Sequence, residues 1–588
     1  MPTPLRLTPA LILAALVLVV RYLVPTAQPE WFTIGLFGGL LGALLILLWW
    51  LLASRAPCRE RALGLVVLGV AGLPAYPFIH PSIAGGMMGL MYALYAVPLI
   101  AVGFVFGLAG AGNASPLRRQ AFAAVAAIIA AFGMTIVRTD GLMGESGSLI
   151  RWRWAPTAEE RLLASAEPIP TPIATPAPAT PTASTPTTET NAATPDVPET
   201  PEATPIAPPE WPSFRGPNRD SRVTGVTINT DWASSPPVLI WQRPVGPGWS
   251  SFAMHGDVFY TQEQRGDDEV VSAYRVSTGD LVWRHADRVR FYESNGGPGP
   301  RGTPTTNGQT IYAVGATGIL NALDARTGAV RWSRNVGVDV GTDVPTWGFT
   351  STPLLYRDLV IVAASGTLAG YDAATGAPRW KGPKHPTSYS SPHLIETAGR
   401  TQVLLMSAFG TTSVDPTTGA THWEHAWDGG TTIVQPAILP DGDIIVNAVA
   451  ATGGLGLRRL SLSTPEPTEK WTSIGLKPYF NDFVVHREHA YGFDGAILSA
   501  IALADGSRVW KGGRYGNGQM VLLADQDLLI VLAEEGDLAL VKAVPDGFTE
   551  LARIPALDGK TWNHPVVVGR TLLVRNGERM AAYRLPAR

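Results

Sequence analysis

The stretch Ala322–Trp332 reads ALDARTGAVRW, and the chain says nearly the same thing again at Gly370–Trp380, GYDAATGAPRW, and at Ser413–Trp423, SVDPTTGATHW. Looser copies are Ala273–Trp283, AYRVSTGDLVW, and Ala500–Trp510, AIALADGSRVW. In each, a Gly precedes a Trp by four residues. The three clear copies set Asp324, Asp372 and Asp415 before the turn, Gly328, Gly376 and Gly419 within it, and Trp332, Trp380 and Trp423 after it. Trp283 and the pair Gly506 and Trp510 mark the looser ones. The unit reads as strand, tight reversal, strand. Gly supplies the positive φ of the reversal, and the Asp carboxylate can accept hydrogen bonds from the turn's own amides. The repeated Trp is a large flat body suited to packing between neighbouring sheets.

Extending the pattern outward gives outer-strand marks at Trp241, Trp283, Trp332, Trp380, Trp423, Trp471, Trp510 and, more weakly, Leu551, spaced 39–49 residues apart. That is the interval of a propeller blade. A ninth piece, Thr561–Tyr583, supplies inner strands but ends before an outer one, and Val238–Gln242 can provide it. Such closure pairs the two ends of the ring and removes the sheet edges. Residues 211–588 are therefore expected to form an all-β, eight-bladed propeller with a composite last blade.

At 588 residues the chain is too long for one core, so more than one domain is expected. The net charge of −3 gives no basic footprint and argues against nucleic acid as a partner. The single cysteine, Cys58, permits neither an intrachain disulfide nor a Cys-rich zinc site. The apolar residues concentrate in 1–142, in stretches near 7–24, 31–52, 62–79, 85–110 and 121–137. These predict an α-helical transmembrane domain of about five spans, with the lipid bilayer as its partner. The first is expected to be a retained span, because no small-residue cleavage site follows it. Arg55, Arg59 and Arg61 fall between the second and third stretches, Arg118 and Arg119 between the fourth and fifth. Positive loops stay cytoplasmic, which predicts a multi-pass inner-membrane protein with a cytoplasmic N-terminus and everything after Leu142 outside, periplasmic or extracellular. Arg21 near the end of the first stretch is expected to snorkel to the interface.

Residues 143–166 form the next segment. Arg151-Trp152-Arg153-Trp154 suits a headgroup interface, and Thr157 with Glu160 makes a capping box for a short helix over 158–164. From 167 to 210 the chain is Pro, Thr, Ala and Glu with no periodic pattern before Trp211, which reads as a disordered linker. At roughly 3 Å per residue it could span on the order of 100 Å and hold the distal domain off the membrane.

The strand, Asp-Ala-x-Thr-Gly turn and Trp strand resemble the PQQ-like β-propeller repeat, found in the barrel-assembly lipoprotein BamB and in quinoprotein dehydrogenases. The resemblance covers roughly 238–585. Five spans before an exported propeller also resemble, in architecture only, membrane-bound PQQ glucose dehydrogenase. The resemblance to BamB implies a binding or assembly scaffold for envelope proteins or a small ligand. The resemblance to the dehydrogenases implies PQQ and calcium on the propeller axis, with electrons passed to membrane quinone. Those enzymes wall their site with long insertions, for which the repeat spacing here leaves no room. Asp441-Gly442-Asp443 is too short for a calcium loop and reads as a hairpin turn. No P-loop, nucleophile elbow or zinc-protease helix is present, and no metal site or bound cofactor is expected. His486 with His489 reads as an exposed turn, and His425 as a hydrogen-bond partner between blades. A third alternative is a surface domain that binds cell-wall glycan.

The loops leading into each innermost strand should gather at one mouth of the channel. They carry Arg301, Trp347, Tyr389, His393, Gln435, Asn481, Asp482, Gln519, Asn563 and His564, to which neighbouring loops add Glu263 and Glu293. A mixed polar and aromatic rim of this kind either binds a small ligand or peptide or caps the ring and orders water.

Overall fold

Each repeat folds as four antiparallel strands, and eight such blades are present among the described residues, seven as four-stranded sheets and one with a fifth, parallel strand added. The computed structural model describes residues 5–28, 31–144, 147–165, 208–397, 399–427, 430–449 and 455–588. The first blade is built from Ala253–His255, Val258–Arg265, Asp268–Arg275 and Leu281–Asp287, from the axis outward. Six more follow in sequence. The eighth takes Val566–Val568, Thr571–Arg575 and Arg579–Arg584 from the far end of the chain and Val238–Pro244 from the near end. Ala582 lies opposite Trp241 in that last pairing, so the composite blade closes the ring as expected.

The geometry of the seams explains the repeat. The indole N–H of Trp283 donates to the carbonyl of Ala325 in the next blade at 2.9 Å, and Trp332 does the same to Ala373 at 3.0 Å. Trp241, Trp380, Trp471 and Trp510 likewise reach the carbonyls of Val276, Pro416, Leu503 and Val544. The turn Gly of each following blade lies under the ring. A Cβ at Gly328 would stand 2.5 Å from the Trp283 ring, and one at Gly376 2.6 Å from that of Trp332. Both glycines also hold positive φ, 74° and 71°. Two independent constraints thus select Gly there: backbone handedness and the approach of a neighbour's indole. Trp423 is the exception, donating to Gln402 of its own blade at 2.8 Å. The Asp reading holds: Asp324 Oδ1 accepts from the amides of Arg326 and Thr327. Apolar clusters straddle the seams, as with Tyr312, Trp332, Val360 and Tyr371.

Among the described residues five helices are long and apolar enough to cross a membrane: Leu7–Ala27, Phe32–Ala53, Cys58–Phe78, Met91–Ala111 and Pro116–Thr135. The last three differ from the sequence expectation. The third and fifth start earlier and take in Arg59, Arg61, Arg118 and Arg119, which the apolar windows had left in loops. The reason is a buried ion pair: Arg119 donates to both oxygens of Glu60 at 3.1 and 2.8 Å, so charged residues fit inside the helix ends. The fourth starts later, because residues 81–89 form a short helix and a 3-10 turn in which Met87 and Met88 have positive φ. Arg21, near the end of the first helix, is buried among the rings of Tyr22, Phe32 and Tyr95.

Two further features were not expected. Val137–Met143 and Gly147–Trp152 pair as a β-hairpin, where the sequence suggested only an interfacial segment. Trp152 and Trp154 stack on each other at 5.2 Å and remain exposed. The hairpin then docks on the propeller instead of standing apart from it. Leu142 N–H donates to Asn295 O at 3.1 Å, and Gly144 N–H to Glu534 Oε1 at 2.8 Å. The capped helix Ala158–Ala164 forms as read and adds Glu159, which pairs with Arg290 at 2.8 Å. The expectation of a propeller held away from the helices is thus corrected by contacts between residues far apart in the chain. The linker expected over 167–210 lies outside the described residues up to 207.

Candidate functional site at the propeller mouth

The loop before each innermost strand turns inward at the same end of the ring, and all eight contribute to one cavity of about 400 Å³. In blade order they supply Trp249; Arg301 and Thr303; Trp347, Thr350 and Thr352; Tyr389 and Ser391; Ile433 and Val434; Phe480 and Asp482; Asn517 and Gln519; Trp562 and His564. Glu293, Asn295 and Tyr479 complete the wall, and Phe214 also lines the cavity. Met88, Leu142 and Gly144 from the helical region and its hairpin line the same space. The cavity therefore lies between the two parts of the molecule.

Its wall is a nearly continuous aromatic belt. Tyr389 packs on Trp347 at 4.7 Å, Trp347 meets Tyr479 edge-on at 6.2 Å, and Tyr479 leads to Phe480 at 5.7 Å. Phe480 contacts Trp562 at 4.7 Å, and Trp562 contacts Trp249 at 4.9 Å. Lys560 lies behind this end, its ammonium 4.3 Å from the Trp562 ring centroid and 5.0 Å from that of Trp249. Burial, helped by Arg301, pushes the Lys560 amine down to about 7. Six rings and few free charges suit a flat, largely apolar body.

Polar groups interrupt the belt in two places. Arg301 pairs with Glu293 at 3.0 Å, and Glu293 also accepts from the amides of Asn295 and Gly296. Burial lowers the Arg301 guanidinium to about 10, with Glu293 opposing. The second place is Asp482, 1% exposed, whose Oδ1 lies 3.2 Å from Arg215 without hydrogen-bond geometry. Burial raises its carboxyl above the ordinary range, and Arg215 counteracts it. Its backbone N–H donates to Gln519 Oε1.

Arg215 belongs to a segment whose role was not legible. Residues 211–223 enter the central channel. Trp211 bridges Met254 in the first blade, and Arg222–Val223 adds a parallel strand to Gln519–Leu523 in the seventh. Between them, Arg215 donates to Phe483 O at 2.7 Å, Arg219 reaches the carbonyls of Thr352, Pro353 and Pro392, and Ser221 Oγ meets His564 Nε2 at 2.9 Å. Arg215, Arg219 and Ser221 hold φ of 66°, 56° and 58°, a conformation costing non-glycine residues about 1–3 kcal/mol each. The carbonyls of the surrounding blades hold this plug in place and so offset the strain.

Of the twelve residues singled out from sequence, the cavity brings together Glu293, Arg301, Trp347, Tyr389, Asp482, Gln519 and His564. The other five do not line it. Glu263 is fully buried within the first blade, accepting from Ser272, Tyr274 and Gly246; burial raises its carboxyl, but Arg265 and Arg284 prevail and hold it at about 2. His393 sits beside the plug, where burial and the cations Arg219 and Arg215 push it to about 3. Asn563 donates to the carbonyls of Gly248 and Ser250, and Asn481 accepts from Tyr479 N. Gln435 is buried with neither side-chain polar atom hydrogen-bonded among the described residues. Sequence reasoning missed Phe214, Trp249, Tyr479, Phe480 and Trp562. Four of these lie in or beside the loops already singled out, and the bias toward polar residues passed over them.

The residues do not fit a calcium-bound quinone. Glu293 is held by Arg301 and two amides, and Asp482 faces Arg215, so no carboxylates converge; among the described residues no group of three His, Cys, Asp or Glu could hold a metal. His425 contacts Arg458 of the next blade at 3.2 Å, and Asp441 and Asp443 both pair with Arg459. His486 and His489 are not an exposed turn: they end and begin paired strands, and His486 is buried against Asp527 at 2.6 Å.

Residues 267–512 match the family model described as outer membrane protein assembly factor BamB, so the PQQ-like repeat read from the sequence is present over that stretch. No curated protein matches the chain. Among solved structures, BamB from Moraxella catarrhalis is similar at 17% identity and a TM-score of 0.45, covering 59% of this chain and all of that one. Quinohemoprotein alcohol dehydrogenase ADHIIG from Pseudomonas putida HK5 is similar at 16% identity and a TM-score of 0.48, covering 65% of this chain and 81% of that one. The corresponding enzyme from Comamonas testosteroni gives 13%, 0.46, 65% and 81%.

Proposed function

We propose that this protein is a membrane-anchored binding protein whose propeller, on the outer side of the membrane, encloses a small ligand with a flat apolar body and a neutral hydrogen-bonding head. The observation that carries this reading is the shared cavity, to which every blade and the helical region contribute. The aromatic belt would stack on the body. Asp482 Oδ1, buried without a hydrogen bond, would receive a donor from the head. The head is neutral because each wall carboxylate already faces a guanidinium. The anchor rests on the five helices and the orientation on the arginines near their ends.

The assembly role in the name of the matching family would need a free mouth or another docking face. Here Leu142 and Gly144 hydrogen-bond across the mouth, which favours a small molecule over a protein partner at that site.

The test is extraction. The full chain, purified in micelles, is denatured and its released small molecules are profiled by mass spectrometry beside the double variant Trp347→Ala, Tyr479→Ala. The reading expects a compound enriched in the wild type and reduced about tenfold or more in the variant, for two lost stacking contacts. Equal profiles, together with envelope proteins crosslinking to residues of the mouth, would replace it with the scaffold reading.

A further inference from the structure

The helical bundle buries two guanidinium groups in very different ways. Arg119 is matched by Glu60 through two hydrogen bonds. Arg21, 4% exposed, has no such partner: its Nε and Nη2 make no hydrogen bond among the described residues, nor does the neighbouring Tyr22 hydroxyl. Aromatic rings surround it instead. The guanidinium carbon lies 4.2 Å from the centroid of Tyr95, 5.4 Å from Tyr22 and 5.7 Å from Phe32. Its stem passes over the second helix at Gly39, where a Cβ would come within 2.9 Å of Arg21 Cδ. A π-helical turn, Val19–Leu23, carries it, a local widening that concentrates at functional positions.

Ring faces attract a cation but supply no hydrogen-bond acceptors along the guanidinium edge. A buried guanidinium with open N–H groups in apolar surroundings is costly and demands an anion. We infer that Arg21 is a binding site for a phosphate ester, and specifically for the headgroup phosphate of an anionic lipid. Phosphate matches the planar donor edge. Arg21 stands six residues before the end of its helix, about 9 Å along the axis, close enough for a long side chain to meet the headgroup layer. Tyr22 would add a hydroxyl donor to the same anion. The site is separate from the propeller cavity and does not depend on what that cavity holds.

The experiment uses the full chain in maltoside micelles, which contain no phosphate. Phosphatidylglycerol, diacylglycerol and inorganic phosphate are added separately; retained lipid is counted by native mass spectrometry and unfolding followed by tryptophan fluorescence. The wild type should retain phosphatidylglycerol and melt higher with it, while diacylglycerol and inorganic phosphate do neither. Arg21→Gln should weaken retention about tenfold and, without lipid, melt at the same temperature as the wild type or above it. A wild type that treats phosphatidylglycerol and diacylglycerol alike overturns the site, whether or not the variant folds. So does undiminished retention by Arg21→Gln. An equal response to inorganic phosphate would make this a free-anion site and overturn the lipid assignment.

Discussion

The seams between blades and the axis of the ring are made of the same sheets but obey opposite rules. At the seams one arrangement recurs: an indole N–H on the next blade's carbonyl, with a glycine beneath the ring. Along the axis the side chains that line the cavity vary from blade to blade. Equivalent positions hold Thr303, Asp482, Gln519 and His564, and an inserted segment lies where a solvent channel was expected. Repetition marks what every blade needs in order to bury its faces. Departure from repetition marks what only this protein needs.

The sharpest way to break this contrast is at a seam. Gly328→Val sets a branched side chain at positive φ and against Trp283, and should cost about 3 kcal/mol or more, read as a lowered unfolding midpoint in denaturant. A near-neutral result would mean that the seams adapt freely. At the axis, Arg215→Ala leaves the buried Asp482 carboxylate uncompensated and should cost about 3 kcal/mol near neutral pH. Burial already raises that carboxyl. An acid raised in the folded state binds its proton more tightly there than when unfolded, so the variant should regain stability as pH falls. Thermal melts across pH should show this, and adding Asp482→Asn should flatten the curve.

Glu269 tests a seam that contains a charge. It accepts from Ala316 N–H of the second blade at 2.8 Å, and burial pushes it up to about 7. Its unfolded value is about 4.3. Stability should therefore fall as pH rises between those values and stay level above them. Glu269→Gln should remove that slope and melt above the wild type at alkaline pH. The smallest effect is expected at the irregular seam. Trp423→Phe loses a bond to its own blade's Gln402, whereas Trp332→Phe loses one to the neighbour's Ala373, and each acceptor keeps a second donor, Ser413 Oγ and the Tyr312 hydroxyl respectively. Each should cost about 1 kcal/mol, with only Trp332→Phe weakening the contact between blades. Hydrogen exchange in the adjoining blade is the measure that separates them.

How far the sequence could be read follows from the same contrast. Blade count, the composite last blade and the turn glycines were legible because each rests on a pattern that recurs about every forty residues. The helices were legible as apolar runs but not at their ends, since Glu60 and Arg119 neutralise each other only once folded. The plug was not legible. WPSFRGPNRD has no periodicity, and nothing local tells Arg215 that its partners are Phe483 and Asp482, more than 260 residues away. The aromatic belt was one-third visible: Trp347 and Tyr389 were singled out, while Trp249, Tyr479, Phe480 and Trp562 were passed over although they lie within or beside the same loops. The docked hairpin donates through its own main-chain amides, at Leu142 and Gly144, which carry no side-chain signature in its sequence.

The composite eighth blade also dictates the order in which the protein can mature. Val238–Pro244 is made before any complete blade and waits for Arg579–Arg584, which emerge after the other seven. Until then its apolar edge is unpaired, with Val238 and Leu239 largely uncovered even in the finished ring. Biogenesis is thus all-or-nothing at the last step: a ribosome stalled inside the eighth blade leaves an open horseshoe, and the chamber at its centre comes into being only when the two ends meet.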